Sequence, residues 1–130
     1  MKKLCILLLL IITTAASANT YYVSTKGSNS NSGTINAPWG TWDYAFNHAY
    51  PGDTVYFRGG IYSGLTGVMG SHGWNNSNST DVKEYICFFA YPEDYASGNY
   101  PVMDCSNVSG NAFYTAISLY NTSYIHIKGL

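Results

Sequence analysis

Charge is scarce in this chain, because Asp, Glu, Lys and Arg together make up only 10% of its 130 residues. The six Lys and Arg form no basic stripe, which argues against nucleic acid as a partner. The seven Asp and Glu form no acidic run, so charge alone indicates no ligand. Aromatic residues reach 16%, so the chain is too apolar to be disordered, and its length allows one domain at most.

A membrane-spanning run is also missing, since the one long apolar run, residues 4–12, is too short to cross a bilayer. Lys2 and Lys3 precede this run, and the small residues Ala-Ser-Ala follow it at 16–18. This arrangement predicts a signal peptide over residues 1–18 and a secreted protein, extracellular, at the cell surface or in the periplasm, with no membrane partner after cleavage. Processing leaves four basic against seven acidic side chains, a net charge of −3.

Cysteine and histidine are rare, with three residues of each type. His48, His72 and His126 are scattered, and zinc-finger spacing is absent. Cys87 and Cys105 are the two cysteines that remain after processing. In an exported protein they can form a disulfide, and the alternative is two small buried thiols on neighbouring strands.

One segment, from Trp39 to Tyr50, has the periodicity of an amphipathic helix. Pro38 suits its start, and Pro51-Gly52 suits its end. Its apolar stripe consists of Trp39, Trp42, Ala45, Phe46 and Ala49. The sequence therefore predicts a single helix that needs an apolar surface to cover.

The rest of the chain reads as short strands between turns rich in Gly, Asn and Ser. From Asp53 to Arg58 the pattern alternates, which places Val55 and Phe57 on one face and Tyr56 and Arg58 on the other. The predicted strands are 21–23, 53–58, 85–90, 101–104, 116–119 and 124–127, with a polar loop over 63–81.

Short strands of this kind fit either an antiparallel sandwich or a parallel solenoid. Val55, Ile86 and Ile117 recur at intervals of 31 residues, within the range of solenoid repeats. A solenoid also needs capped ends, and the helix can cover the first coil, whereas nothing closes the chain at Leu130. We therefore expect residues 19–130 to be an incomplete all-β solenoid, truncated after its first coils and prone to associate through its last one.

Several motifs occur in a characteristic order, and the most specific is PGDTVYFRGGIY at residues 51–62. Before it come YVS at 22–24, SGT at 32–34 and APW at 37–39, and after it CFFAYP at 87–92, PVMD at 101–104 and YIHIKGL at 124–130. This series resembles the pectate-lyase-like right-handed parallel β-helix proteins, closest to the N-terminal region of family nine pectate lyases.

The resemblance implies a polysaccharide lyase that, when full length, cleaves pectate-like uronans by β-elimination. In such lyases a lysine base and an aspartate cluster holding Ca²⁺ lie on central coils, which would follow Leu130. We therefore expect no catalytic, metal or cofactor residue in this chain, an inactive chain when alone, and Ca²⁺ only in the full-length enzyme. The alternatives are a β-helix glycoside hydrolase, with paired carboxylates on adjacent coils, and a non-catalytic surface or adhesion protein.

Four charged residues need a structural explanation before any catalytic one. Glu93-Asp94, the only adjacent acidic pair, lies on a predicted turn and is expected to be solvated. Asp53 follows Pro-Gly and is expected to bond local backbone amides. Arg58 is expected to pair with a neighbouring acid, and contact with a substrate carboxylate is the alternative.

Two groups of residues could contact a sugar, and neither is assigned as a binding site. Tyr124, His126 and Lys128 share the face opposite the two isoleucines of their strand, and the alternative is an ordinary polar outer face. His72 and Trp74 lie in the long polar loop, where the alternative is a Trp that anchors its own loop.

Overall fold

The computed structural model describes residues 18–63, 84–106, 117, 119 and 124–130. The predicted signal peptide therefore lies almost wholly outside the described residues. Within them the elements, in chain order, are β1 (Thr20–Val23), α1 (Trp42–His48), β2 (Thr54–Phe57), β3 (Gly60–Ser63), β4 (Ile86–Ala90), α2 (Pro92–Ala96), β5 (Pro101–Asp104) and β6 (Ile125–Lys128). No helix in these ranges is long and apolar enough to cross a membrane.

The described strands pair in parallel throughout. One sheet has the order β1-β2-β4-β6, and a second sheet pairs β3 with β5. Parallel neighbours require a long crossover between them, so each pair of neighbouring strands is separated by one circuit of the chain. The solenoid prediction is confirmed, and the antiparallel sandwich is wrong for these strands.

The register of the four-stranded sheet corrects the predicted repeat. Tyr21 pairs with Val55, Val55 pairs with Phe88, and Phe88 pairs with Ile127. The intervals between these partners are 34, 33 and 39 residues, so the constant interval of 31 was wrong. Coils of a solenoid stack by strand register, and the loops between the strands are free to differ in length.

The core lies on the inner faces of the strands. Val55 and Phe57 of β2 and Phe88 of β4 are fully buried, as the alternating pattern of β2 predicts. The continuous apolar run of β4 also alternates, with Cys87 and Phe89 only half-buried on the outside. The remaining buried apolar side chains are Val23, Trp39, Trp42, Ala45, Phe46, Ala49, Tyr62, Ile86 and Ala90.

Helix α1 begins three residues later than predicted, although its whole apolar stripe is buried as expected. Trp39 is not helical, because it forms a parallel bridge with Val23. Its N–H donates to the Tyr22 carbonyl and its carbonyl accepts from the Ser24 N–H, both at 2.9 Å. A tryptophan with both backbone groups engaged by β1 cannot join the helix, and spacing alone does not reveal that competition.

The helix covers one end of the core, as predicted. The Phe46 ring stacks on the Phe88 ring with centroids 4.0 Å apart, and lies 6.1 Å from the Phe57 ring. The start of α1 is held by Asn29, whose side-chain oxygen accepts from the N–H groups of Gly40 and Thr41. The polar loop before the helix therefore satisfies two backbone donors at the entry to α1.

Other boundaries also differ from the sequence prediction. Strand β3 and helix α2 were not predicted, since each offers too few residues to establish a period. Strand β6 begins one residue later than expected, at Ile125. Of the predicted strand 116–119, only Ile117 and Leu119 are described, and neither lies in a strand.

Candidate functional site

Aromatic side chains lie in register on the outer face of the four-stranded sheet. Tyr22 of β1 pairs with Tyr56 of β2, and Tyr56 pairs with Phe89 of β4. Their ring centroids are 5.8 Å apart for the first pair and 6.3 Å for the second. All three side chains are half-buried. We call Tyr22, Tyr56 and Phe89 the outer aromatic ladder.

Two nitrogen-bearing side chains stand at the β6 edge of the outer aromatic ladder. Lys128 is the register partner of Phe89, and His126 is the partner of Cys87. Both are exposed, while the two isoleucines that alternate with them are half-buried, as predicted for this strand. The His126 ring meets the Phe89 ring edge to face, with centroids 4.9 Å apart. The ladder therefore ends beside a cation and an imidazole.

Tyr124, the third residue of that predicted face, does not join the ladder. It precedes β6 with a left-handed backbone, φ 59°, which few non-glycine residues adopt. Its ring packs edge to face against Tyr85 at a centroid distance of 5.7 Å. The structure therefore brings His126 and Lys128 together on the outer face of β6 and packs Tyr124 against Tyr85 just before that strand.

Arg58, at the end of β2, forms a two-point ion pair with Asp94. Its Nε donates to Oδ2 at 2.6 Å and its Nη2 donates to Oδ1 at 3.2 Å. These hydrogen bonds raise the pKa of Arg58 and lower that of Asp94. The guanidinium also lies over the Tyr91 ring, 4.7 Å from its centroid. The predicted pairing with a neighbouring acid is confirmed, and these contacts leave the guanidinium poorly placed for a substrate carboxylate.

The prediction that Glu93 and Asp94 are both solvated on a turn was wrong for Asp94. Pro92 begins the short helix α2, and Asp94 turns back toward the chain with its side chain only 15% exposed. Its Oδ2 also accepts from the Gly59 N–H at 2.8 Å. Gly59 also permits the close approach of Asn99, because a Cβ at position 59 would lie 2.3 Å from that residue.

Asp53 is buried, with 2% exposure, and its carboxylate is fully engaged. Oδ2 accepts from the Tyr50 N–H at 2.9 Å, across the turn that follows α1. Oδ1 accepts from the Asn19 N–H at 2.9 Å and from its Nδ2 at 3.3 Å. The predicted role in bonding backbone amides is confirmed, and the same carboxylate fastens the start of β1 to the next coil.

Cys87 and Cys105 are both free thiols, so the predicted disulfide alternative is wrong. Cys87 lies on the outer face of β4, whereas Cys105 follows β5 in the other sheet and packs against the core. The alternative of thiols on neighbouring strands is also wrong, because β4 and β5 belong to different sheets. Burial raises the pKa of Cys87, so its thiol stays protonated near neutral pH and is a poor nucleophile.

A shallow cavity on the side of the second sheet offers no reactive group. The one titratable side chain in its lining is Tyr62, whose hydroxyl contacts the carbonyls of Arg58 and Val23 at 2.8 and 3.1 Å. Burial raises the pKa of Tyr62, which keeps the phenol neutral. The lining residues are Thr25, Gly40, Thr41, Ile61, Tyr62 and Ser63.

A metal site is likewise missing from the part of the chain that the structure describes, where no three His, Cys, Asp or Glu side chains come together. These residues therefore do not fit a calcium site, which usually takes six to eight oxygen ligands. His72 and Trp74, the other predicted sugar contacts, lie outside the described residues.

Sequence reasoning identified the β6 end of the outer face but missed most of the ladder. Tyr22 and Phe89 both lie in predicted strands, and each could have been assigned to a face by alternation. Alternation within one strand does not tell which strands become neighbours. The ladder depends on that register, which only the structure supplies.

Comparison with known proteins identifies the architecture. A family model described as "Pel9A-like, right handed beta helix region" matches residues 21–130. A solved structure titled "Rhamnogalacturonan lyase" is 25% identical with a TM-score of 0.63, over 86% of this chain and 28% of that one. Another, "The complex structure of XylC with xylose", is 22% identical with a TM-score of 0.45, over 63% of this chain and 11% of that one. No curated protein matches the chain.

Proposed function

The chain belongs to the Pel9A-like right-handed β-helix family, and from this premise we propose that it is part of a secreted polysaccharide lyase acting on pectate-like uronans. The observation that carries the proposal is the similarity to the structure titled "Rhamnogalacturonan lyase", which extends over 86% of the chain. Because the chain spans 28% of that structure, the proposal assigns the catalytic centre to coils that follow this chain.

The proposed reaction is a β-elimination. A base removes the proton on the carbon next to the uronate carboxylate, the electron pair forms a carbon–carbon double bond, and the glycosidic oxygen leaves. Asp53 and Asp94 are poorly suited to act as that base, since each carboxylate is held by several donors. Calcium belongs to the proposal for the whole enzyme, and it is assigned to no residue of this chain.

Within the proposed enzyme, this chain begins the solenoid. Helix α1 covers the core at one end, and the parallel register of β1, β2 and β4 sets the stacking on which later coils build. Secretion is supported by the sequence pattern of residues 1–18.

The test is an assay of the full-length protein that includes this chain. The protein is incubated with polygalacturonate and, separately, with rhamnogalacturonan, each with added calcium or with a chelator. We expect ultraviolet absorbance from unsaturated products to rise on one of the two substrates, and the chain alone to be inactive.

Other outcomes of the same assay separate the alternatives. New reducing ends without absorbance would indicate hydrolysis, as in a β-helix glycoside hydrolase. Binding without any cleavage would favour an adhesion protein. The absence of unsaturated products from both substrates would overturn the lyase proposal.

A further inference from the structure

We propose that the outer aromatic ladder and Lys128 form a binding surface for a uronate-containing oligosaccharide that lies across the strands. The inference rests on the proposed function only for the choice of uronate as the sugar. Its structural basis is the register of Tyr22, Tyr56 and Phe89 with Lys128, which forms a single row across the four strands of the sheet.

The ladder has the geometry that a chain of sugar rings requires. Strands β1, β2 and β4 each contribute one aromatic side chain, and neighbouring parallel strands lie about 4.8 Å apart, a distance on the scale of one sugar ring. A tyrosine or phenylalanine ring offers an apolar surface to the C–H face of a pyranose, and the tyrosine hydroxyls can hydrogen-bond sugar hydroxyls. The oligosaccharide would therefore run along the solenoid axis and meet one aromatic side chain on each of β1, β2 and β4 before it reaches Lys128 on β6.

The packing around the ladder supports its two tyrosine rings from the side. Tyr91, two residues after Phe89, contacts the Tyr22 and Tyr56 rings at centroid distances of 5.9 and 6.0 Å. The Arg58 guanidinium in turn lies over Tyr91 and is held by Asp94. Rings supported from the side lose little conformational freedom when a ligand binds, which favours affinity.

The charges around the ladder indicate where a carboxylate would bind. Lys128 at the β6 edge has no ion-pair partner among the described residues, and His126 is exposed beside it. At the other side, the Asp94 carboxylate is neutralised by Arg58, while the exposed Glu93 lies near Tyr91. A uronate would therefore bind next to Lys128 and away from Glu93, with neighbouring sugars over Phe89 and Tyr56.

The test measures affinity for oligogalacturonate, and for a neutral cello-oligosaccharide of equal length, by titration calorimetry in a chelator that suppresses cleavage. We expect Tyr56→Ala to weaken oligogalacturonate binding about tenfold, and Tyr56→Phe to leave it within about twofold. Lys128→Gln should weaken the binding of oligogalacturonate about fivefold and leave the binding of the neutral oligosaccharide unchanged. Tyr100→Ala, an exposed tyrosine outside the ladder, is the matched control and should bind as the unmodified protein does.

Circular dichroism and urea unfolding establish that each variant is folded, and the exposed Lys128 supplies a substitution that leaves the core untouched. The inference is overturned if the protein binds neither oligosaccharide, or if Tyr56→Ala and Lys128→Gln bind as Tyr100→Ala does. If the unmodified protein has no lyase activity but its oligosaccharide binding depends on the ladder, the proposed function is refuted and this inference stands. If the unmodified protein forms unsaturated products but the variants bind the oligosaccharides unaltered, this inference is refuted and the proposed function stands.

Discussion

The two faces of the four-stranded sheet are built from alternate residues of the same strands, yet their surroundings differ. On the inner face Val55, Phe57 and Phe88 are fully buried and pack in one cluster under α1. On the outer face Tyr56 and Phe89 are half-buried, and their rings contact each other. Adjacent residues of one strand, such as Phe88 and Phe89, therefore experience different environments.

This difference separates what forms the fold from what is available for binding. Inner positions must fill a fixed volume, and apolar side chains of similar size would satisfy them. Outer positions have no such volume to fill, so packing alone does not explain a row of Tyr, Tyr, Phe and Lys in register. A partly exposed aromatic row is the kind of surface feature that marks a ligand site.

The largest expected effect is on the inner face. Phe88→Ala should lower the free energy of unfolding by about 3–5 kcal/mol, because the ring is fully buried and stacks on Phe46. Phe89→Ala removes the same ring from the next position and should cost about 1 kcal/mol, since Phe89 is half-buried. Urea unfolding monitored by circular dichroism measures both.

The two alanine variants test the difference between the inner and outer faces, because the same side chain is removed at neighbouring positions. Phe88→Leu, which keeps most of the buried volume, is the control and should fall between the two alanine variants. If the two alanine variants lost equal stability, the faces would not differ energetically as described.

A smaller effect is expected at the edge between the faces, where Arg58 and Asp94 pair. Asp94→Asn should cost about 1–2 kcal/mol near neutral pH, because charged hydrogen bonds are lost but the guanidinium is partly exposed to solvent. The pKa of Asp94 is lowered in the folded protein, so its contribution is present above the unfolded pKa of about 4 and is lost as the pH falls through the lowered value.

The free energy of unfolding, measured at pH 7 and at pH 3, therefore tests the contribution of the ion pair. The unmodified protein should lose more stability between these pH values than Asp94→Asn does. The stability of the variant should still depend on pH, because hydrogen bonds from Ser106 also lower the pKa of Asp104. Parallel losses in the two proteins would show that the Arg58–Asp94 pair is not formed in solution.

Local alternation and helical spacing were sufficient to predict the core around β2 and α1 but not the surface. The buried positions of β2 and the apolar stripe around α1 follow from spacing within one segment, which the sequence displays directly. The contact between Asp94 and Gly59 joins residues 35 apart and depends on a helix of five residues, too short to show a period. The ladder depends on register across coils of unequal length, which loops set and spacing within a segment cannot reveal.

The smallest expected effect concerns the two thiols, which lie on different sides of the solenoid. Cys87→Ser should change the free energy of unfolding by less than about 1 kcal/mol, because the side chain is half-buried on the outer face and tolerates a small polar replacement. Alkylation in denaturant without reductant, followed by peptide mapping, should recover Cys87 and Cys105 both modified. A bridged pair would remain unmodified under these conditions, and it would require the outer face of β4 and the end of β5 to meet. That result would contradict the separation of the faces as well as the assignment of the strands to two sheets.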